Sequence, residues 1–336
     1  MIRAQKKGVE NTIMQATAIA HPNIALVKYW GKTDQEQNLP AVGSLSITLD
    51  GLATTTRVSF NPAANSDRFV FAGRPVPAML SRVSACLDDL RRRVGITTRA
   101  VVESDNDFPT AAGLASSASG FAALVVAADA ALGAELPACE LAEFARRASG
   151  SAARSIFGGF VELTLVDSGR RTETRQLLEP EAWPLRVAVA LTEAGPKTVG
   201  STEGMLRTER TSPYYPAWVA SSPADLSEAR TAVQRRDFEA LANVSESSCL
   251  KMHAVMMSAR PGLFYWNCST VECIRRVRQL RADGVPVFFT VDAGPQVKAV
   301  CLPDAFETVR CELAAVPGVE RVLSNGLGEG ARVVEQ

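Results

Sequence analysis

Five short stretches of this 336-residue chain carry side chains able to grip charged groups and act on them. Residues 109–120 read Pro-Thr-Ala-Ala-Gly-Leu-Ala-Ser-Ser-Ala-Ser-Gly, small residues between a strand-like and a helix-like stretch. Gly113, Ser116, Ser117 and Gly120 would let backbone N–H groups approach an anion. A helix from about Ser117 to Leu132 would add its positive N-terminal end. The run lacks the Gly-Lys-Ser/Thr ending of a P-loop, and a helix packed closely on a sheet would use the same residues. Lys28-Tyr29-Trp30-Gly31-Lys32 sets two ammonium groups and two aromatics at a strand end, suited to a phosphorylated or carboxylated ligand or simply to solvent. Ser149-Gly150-Ser151-Ala152-Ala153-Arg154-Ser155 offers three hydroxyls and a guanidinium among small residues. That set can hold a diphosphate or a carboxylate through several directed hydrogen bonds. Lys197-Thr198-Val199-Gly200-Ser201-Thr202 is a further polar turn. Asp292-Ala293-Gly294-Pro295 closes an apolar strand with a carboxylate able to orient or deprotonate a hydroxyl, or to form the turn alone.

Other chemistries find little material. The two histidines, His21 and His253, exclude a histidine-rich metal centre, and no Gly-x-Ser-x-Gly elbow accompanies them. The seven cysteines are scattered without a Cys-x-x-Cys pair, so buried thiols in a reducing compartment are expected rather than a disulfide framework or zinc site. With 36 basic against 36 acidic residues, bulk charge offers nothing to nucleic acid or to a membrane surface. No signal-peptide core and no bilayer-length apolar run occur, so the expected place of work is the cytoplasm.

The elements that must position these residues alternate between strand and helix. Strands are expected over Thr17 to Leu26, Ser44 to Leu49, Thr54 to Asn61, Phe160 to Val166, Arg186 to Leu191 and Val285 to Val291. Helices are expected over Pro77 to Val94, Pro137 to Ser149, Ala224 to Asn243 and Thr270 to Asp283. A mixed α/β or α+β fold follows, with 46% hydrophobic and 21% charged residues giving material for about two domains. A boundary near residue 190 divides the chain into 1–190 and 191–336.

Taken together, these stretches resemble one family, the mevalonate diphosphate decarboxylases of the GHMP kinase superfamily. The superfamily shows in Pro109-Thr110-Ala111-Ala112-Gly113-Leu114-Ala115-Ser116-Ser117-Ala118, which is similar to its ATP loop. The family shows in Asn23-Ile24-Ala25 with Lys28 to Lys32, then Ser149 to Ser155, Gly200-Ser201-Thr202 with Gly204-Met205, and Asp292-Ala293-Gly294-Pro295. They occur in the family's order, from about Ala16 to about Val300.

The resemblance implies an α+β, two-domain GHMP-kinase-like fold: an N-terminal ribosomal-S5-like ATP-binding domain and a C-terminal α+β domain, with the active site in the cleft between them. It implies ATP- and magnesium-dependent decarboxylation of mevalonate 5-diphosphate to isopentenyl diphosphate. Decarboxylation of mevalonate 5-phosphate, or phosphorylation of the 3-hydroxyl alone, is the nearest alternative. By motif position Asp292 engages the 3-hydroxyl, Lys28 stands beside that centre, and Arg154 grips the departing carboxylate. Tyr29, Trp30, Gly31, Lys32, Arg74, Ser149, Gly150, Ser151, Ala152, Ala153 and Thr202 form the implied substrate site. Ala112, Gly113, Leu114, Ala115, Ser116 and Ser117 cradle the ATP phosphates, with Ser116 or Ser117 near magnesium. A homodimer is implied as well. The chain departs from the family at Val42-Gly43, where Asn-Ser is usual, and at Asp107, where Asn is usual. The first change removes an amide and a hydroxyl from the expected nucleotide region, and the second adds charge beside the ATP loop.

Overall fold

The computed structural model describes residues 13–108, 116–193, 195 and 198–336. Pro109 to Ala115 and Lys197 lie outside them, so the expected loop positions Ala112, Gly113, Leu114 and Ala115 do too.

The first half is built on a six-stranded sheet and a four-stranded sheet. In the larger sheet, strands Met14–Ala20, Thr54–Asn61 and Arg99–Asn106 pair antiparallel, and Arg68–Phe71 runs parallel to Arg99–Asn106. Helices Pro77–Val94 and Ser116–Leu132 pack on it, and Ala138–Ala148 packs against those two helices and strand Arg171–Leu178. Ser116–Leu132 is apolar on all sides and buried from Phe121 to Ala128, as suits a helix enclosed by protein. Its Leu124 and Ala127 share a core with Val58 and Phe60 of the sheet.

The smaller sheet orders strands Arg171–Leu178, Phe160–Val166, Ser44–Thr48 and Asn23–Val27. Leu26, Ile47 and Phe160 pack in one core with Val187, Phe288 and Val300 of the second half. Lys28 therefore leaves its strand at the seam between the halves. The second half carries a four-stranded antiparallel sheet, Val287–Val291, Val297–Cys301, Arg186–Leu191 and Arg321–Asn325. Helices Ser201–Thr211, Tyr215–Arg235, Phe238–Met257, Cys268–Ala282 and Phe306–Ala314 complete it. The last strand, Arg332–Glu335, returns to pair with Met14–Ala20 and closes the molecule.

Three expectations need revision. The single strand over Thr17 to Leu26 is two strands in different sheets, Met14–Ala20 and Asn23–Val27, because Pro22 offers no N–H to continue a ladder. The helix over Ala224 to Asn243 is parts of two helices, interrupted where Arg236 takes φ 54° and Asp237 caps the next helix by accepting from the Ala240 N–H. Ser44–Thr48 alternates in chemistry yet is buried on both faces, since its serines hold a buried guanidinium.

Candidate active site

A cavity of about 1010 Å³ lies at the seam, lined by residues of both halves. Lys28, Tyr29, Trp30, Lys32, Ser149, Gly150, Ser151, Arg154, Thr202 and Asp292 all line it. They approach from four places: the end of strand Asn23–Val27, the turn after helix Ala138–Ala148, the start of helix Ser201–Thr211, and the turn after strand Val287–Val291.

At its floor, the Lys28 Nζ donates to Asp292 Oδ1 at 2.6 Å. Asp292 Oδ2 lies 3.1 Å from the Nζ of Lys298, a residue absent from the sequence expectations. Burial works against the Asp292 charge, but the two ammonium groups outweigh it and hold the carboxyl far below the usual carboxylate range. Asp292 is thus a fixed anion and a weak Brønsted base, suited to accept a hydrogen bond from a hydroxyl and aim it.

Arg154 is 2% exposed and held entirely by neutral oxygens. Its Nε donates to Ser46 Oγ at 3.1 Å, Nη1 to Ser44 Oγ at 2.6 Å and Nη2 to Asn23 Oδ1 at 3.2 Å. The Asn23 amide donates in turn to the Ser151 carbonyl and Ser155 Oγ, fixing which way the asparagine faces. Among the described residues no carboxylate pairs with Arg154, so burial pulls its pKa down to about 10 against the distant pull of Tyr29 and Asp292. A desolvated guanidinium without a counter-ion favours an incoming anion.

The walls are shaped by backbone freedom and small residues. Gly31 takes φ +105°, and a β-carbon there would strike the Tyr215 hydroxyl. A β-carbon on Gly150 would come 2.5 Å from the Tyr29 hydroxyl. That hydroxyl is buried without a hydrogen-bond partner, and burial raises its pKa to about 12, so it offers a proton donor to the cavity. Lys32 is pulled below its usual range by burial and by Arg82, two cations facing one space.

Several expected residues serve otherwise or lie elsewhere. Arg74 is exposed in the two-residue strand Arg74–Pro75 at the sheet edge and does not line the cavity. Ala152 and Ala153 are buried in the first half's core, supporting the turn that carries Arg154. Trp30 lines the cavity but is mainly a core residue, edge-on to Tyr265. Gly31 is a bend, not a lining residue. Val42 is buried with Trp30, Met205 and Trp218, and a β-carbon on Gly43 would press on Leu226. Asp107 spends its carboxylate on the Ala53 N–H at 2.7 Å.

A second cavity of about 270 Å³ adjoins the first, and the two share Arg82 and Ser117. Phe69, Phe71, Val76, Met79 and Phe121 make it apolar, while Ser116 lies at one side. The Asn106 Nδ2 that lines it is buried without a partner. None of these apolar positions stood out in the sequence, because each reads as ordinary core.

Comparison with known proteins agrees with this arrangement. Residues 20–173 match the diphosphomevalonate decarboxylase-like N-terminal domain, and residues 187–316 match the mevalonate 5-diphosphate decarboxylase C-terminal domain. The human diphosphomevalonate decarboxylase is 36% identical over 317 residues, covering 88% of this chain and 78% of its own length. A solved structure of mevalonate diphosphate decarboxylase from Staphylococcus aureus superposes with TM-score 0.91 at 36% identity, covering 96% of this chain and 99% of that one. MDDEF in complex with MVAPP, AMPPCP and magnesium superposes with TM-score 0.89 at 38% identity, covering 97% of this chain and 100% of that one. With the fold, both halves and most of the length matched, the chain belongs to the diphosphomevalonate decarboxylase family.

Proposed function

We infer that the protein catalyses ATP-dependent decarboxylation of mevalonate 5-diphosphate to isopentenyl diphosphate, with release of ADP, phosphate and carbon dioxide. The observation that carries this reading is the pairing, in one cavity, of a hydroxyl-orienting anion with a buried guanidinium that has no counter-ion among the described residues. A kinase alone needs the first; a decarboxylase also needs the second.

The nucleotide has a fitting place in the smaller cavity, where aromatic and aliphatic side chains suit a planar ring and the unpartnered Asn106 amide suits a ring nitrogen. Its phosphates would then meet the substrate at Ser117 and Arg82, common to both cavities. Among the described residues no cluster of His, Cys, Asp or Glu could hold a metal alone. That donor set fits magnesium carried on phosphate oxygens with one hydroxyl from Ser116 or Ser117. Held there, magnesium would supply charge neutralisation for the transferring phosphoryl oxygens.

In this reading Asp292 accepts a hydrogen bond from the 3-hydroxyl and aims its oxygen at the γ-phosphorus, while Lys28 faces the charge that develops. The O–P bond forms as the bond from the γ-phosphorus to ADP breaks, and the hydroxyl proton, made acidic by the new bond, passes through Asp292 to solvent. A tertiary hydroxide leaves poorly, but phosphate leaves with the C3–O electron pair. The C1–C2 pair then becomes the C2–C3 double bond as carbon dioxide departs. Arg154 holds the carboxylate in line for that cleavage. Tyr29, Lys32, Ser149, Ser151 and Thr202 hold the diphosphate. Because Arg74 lies outside the cavity, the cation beside Lys32 in this reading is Arg82.

The same reading takes 1–190 and 191–336 as the working halves. It extends to a homodimer, with exposed Val333 and Val334 on an edge strand as available surface. It extends also to the cytoplasm, supported by seven free cysteines. No described helix is long and apolar enough to cross a membrane. Steady-state kinetics with mevalonate 5-diphosphate and 5-phosphate test substrate choice. At least about a hundredfold higher kcat/KM for the diphosphate is expected; equal values would contradict the diphosphate assignment.

A further inference from the structure

Asp292 is gripped at both oxygens, and the second grip comes from a residue outside the cavity. Lys298 is 2% exposed, does not line the cavity, and reaches Asp292 Oδ2 at 3.1 Å from strand Val297–Cys301. Asp292 is 27% exposed and faces the cavity, with Lys28 on its other oxygen. The hairpin register explains the approach. Thr290 pairs with Lys298, and Asp292 lies two residues beyond Thr290 on the same side of the strand direction. Across this space, helix Phe238–Met257 contributes Cys249, whose Sγ accepts from the Val291 N–H, and His253, whose Nε2 lies 3.1 Å from the Val291 carbonyl. Neither supplies a charge, since burial keeps the thiol protonated and the imidazole neutral. Lys28 and Lys298 are therefore the cations that face Asp292 directly.

We propose that Lys298 is a positioning residue for the reaction: it locks the Asp292 carboxylate against rotation, so that the oxygen shared with Lys28 stays aimed at the substrate hydroxyl. This rests on the decarboxylase reading above. A carboxylate held by Lys28 alone can turn about its last side-chain bond and bring either oxygen forward. Held at both, it presents one orientation to the substrate. The second ammonium also keeps the site's net charge positive, which favours an acceptor carrying a carboxylate and a diphosphate.

Lys298→Met tests this, because methionine has similar length and removes one buried charge while leaving Asp292 paired with Lys28. Replacing a buried ionic group by an apolar one of like volume is often neutral for the fold. Wild-type release of carbon dioxide and ADP from mevalonate 5-diphosphate is measured first; its absence would remove the decarboxylase reading itself. With the wild type active, Lys298→Met should lower kcat by about tenfold to a hundredfold, with KM for the acceptor within about threefold. Lys298→Arg, which restores the charge, should recover part of kcat. In an Asp292→Asn background the same Lys298→Met change should cost no more than about twofold. An unchanged kcat in Lys298→Met overturns the proposal. A loss that follows melting temperature across the two Lys298 variants and persists in full in the Asp292→Asn background assigns Lys298 to the fold and overturns it equally.

Discussion

Arg154 illustrates how a residue's chemistry is set by what does not pair with it. Three neutral oxygens, from Ser44, Ser46 and Asn23, orient the guanidinium without neutralising it. Lysine keeps the charge but has no planar fork, so it cannot meet three oxygens and a substrate carboxylate together. Arg154→Lys should therefore lower kcat/KM by about a hundredfold, measured as carbon dioxide release, while circular dichroism stays native. Near-normal turnover would remove Arg154 from the carboxylate-gripping role. Lys28, Arg154 and Asp292 were legible because their motifs lie in turns, where charge stands out. Lys298 was not: a lysine within a strand reads as a solvent-facing side chain. Its partner becomes visible only when the hairpin folds Val297 back against Val291. Ser44 and Ser46 hid in the same way, as the polar half of an apparently half-exposed strand.

At the scale of elements, helix Phe238–Met257 packs against strand Val287–Val291 and so backs the turn that carries Asp292. It does this with polar side chains that must stay uncharged. Burial lowers the His253 pKa from 6.5 to about 3, with Lys28 and Lys298 adding to the shift and the Val291 carbonyl and Asp292 opposing it. The folded pKa lies below the unfolded one, so the unfolded chain binds the extra proton between those values. His253 thus contributes stability above pH 6.5 that is lost as pH falls toward 3. Unfolding free energy should fall by up to about 1.4 kcal/mol per pH unit below that point from this residue. Denaturant titrations at pH 7, 6 and 5 should give a shallower dependence for His253→Gln than for the wild type; parallel curves would contradict the assignment. Most elements near the site could be read from periodicity and β-branched runs, including Thr54–Asn61 and Pro77–Val94 at their observed bounds. The break at His21-Pro22 was missed because apolar residues continue across it. The change of sheet there is a tertiary event that no local pattern carries.

For the whole molecule, the division of labour between halves matters most. The first half brings Lys28 and Arg154; the second brings Asp292 and Lys298; a shared core from Leu26 to Phe288 fixes their relation. Residues 109–120 announced phosphate chemistry in the sequence, but the neighbouring apolar cavity could not be read there, since its walls come from strands and helices distant in the chain. In the proposed function, coupling of phosphoryl transfer to carboxylate loss in one turnover joins the two halves. It is tested most directly by incubating the protein with ATP, magnesium and mevalonate 5-diphosphate and following ADP and carbon dioxide separately. Equimolar release of both is expected throughout the time course; ADP formed without carbon dioxide would show that the protein stops at phosphorylation.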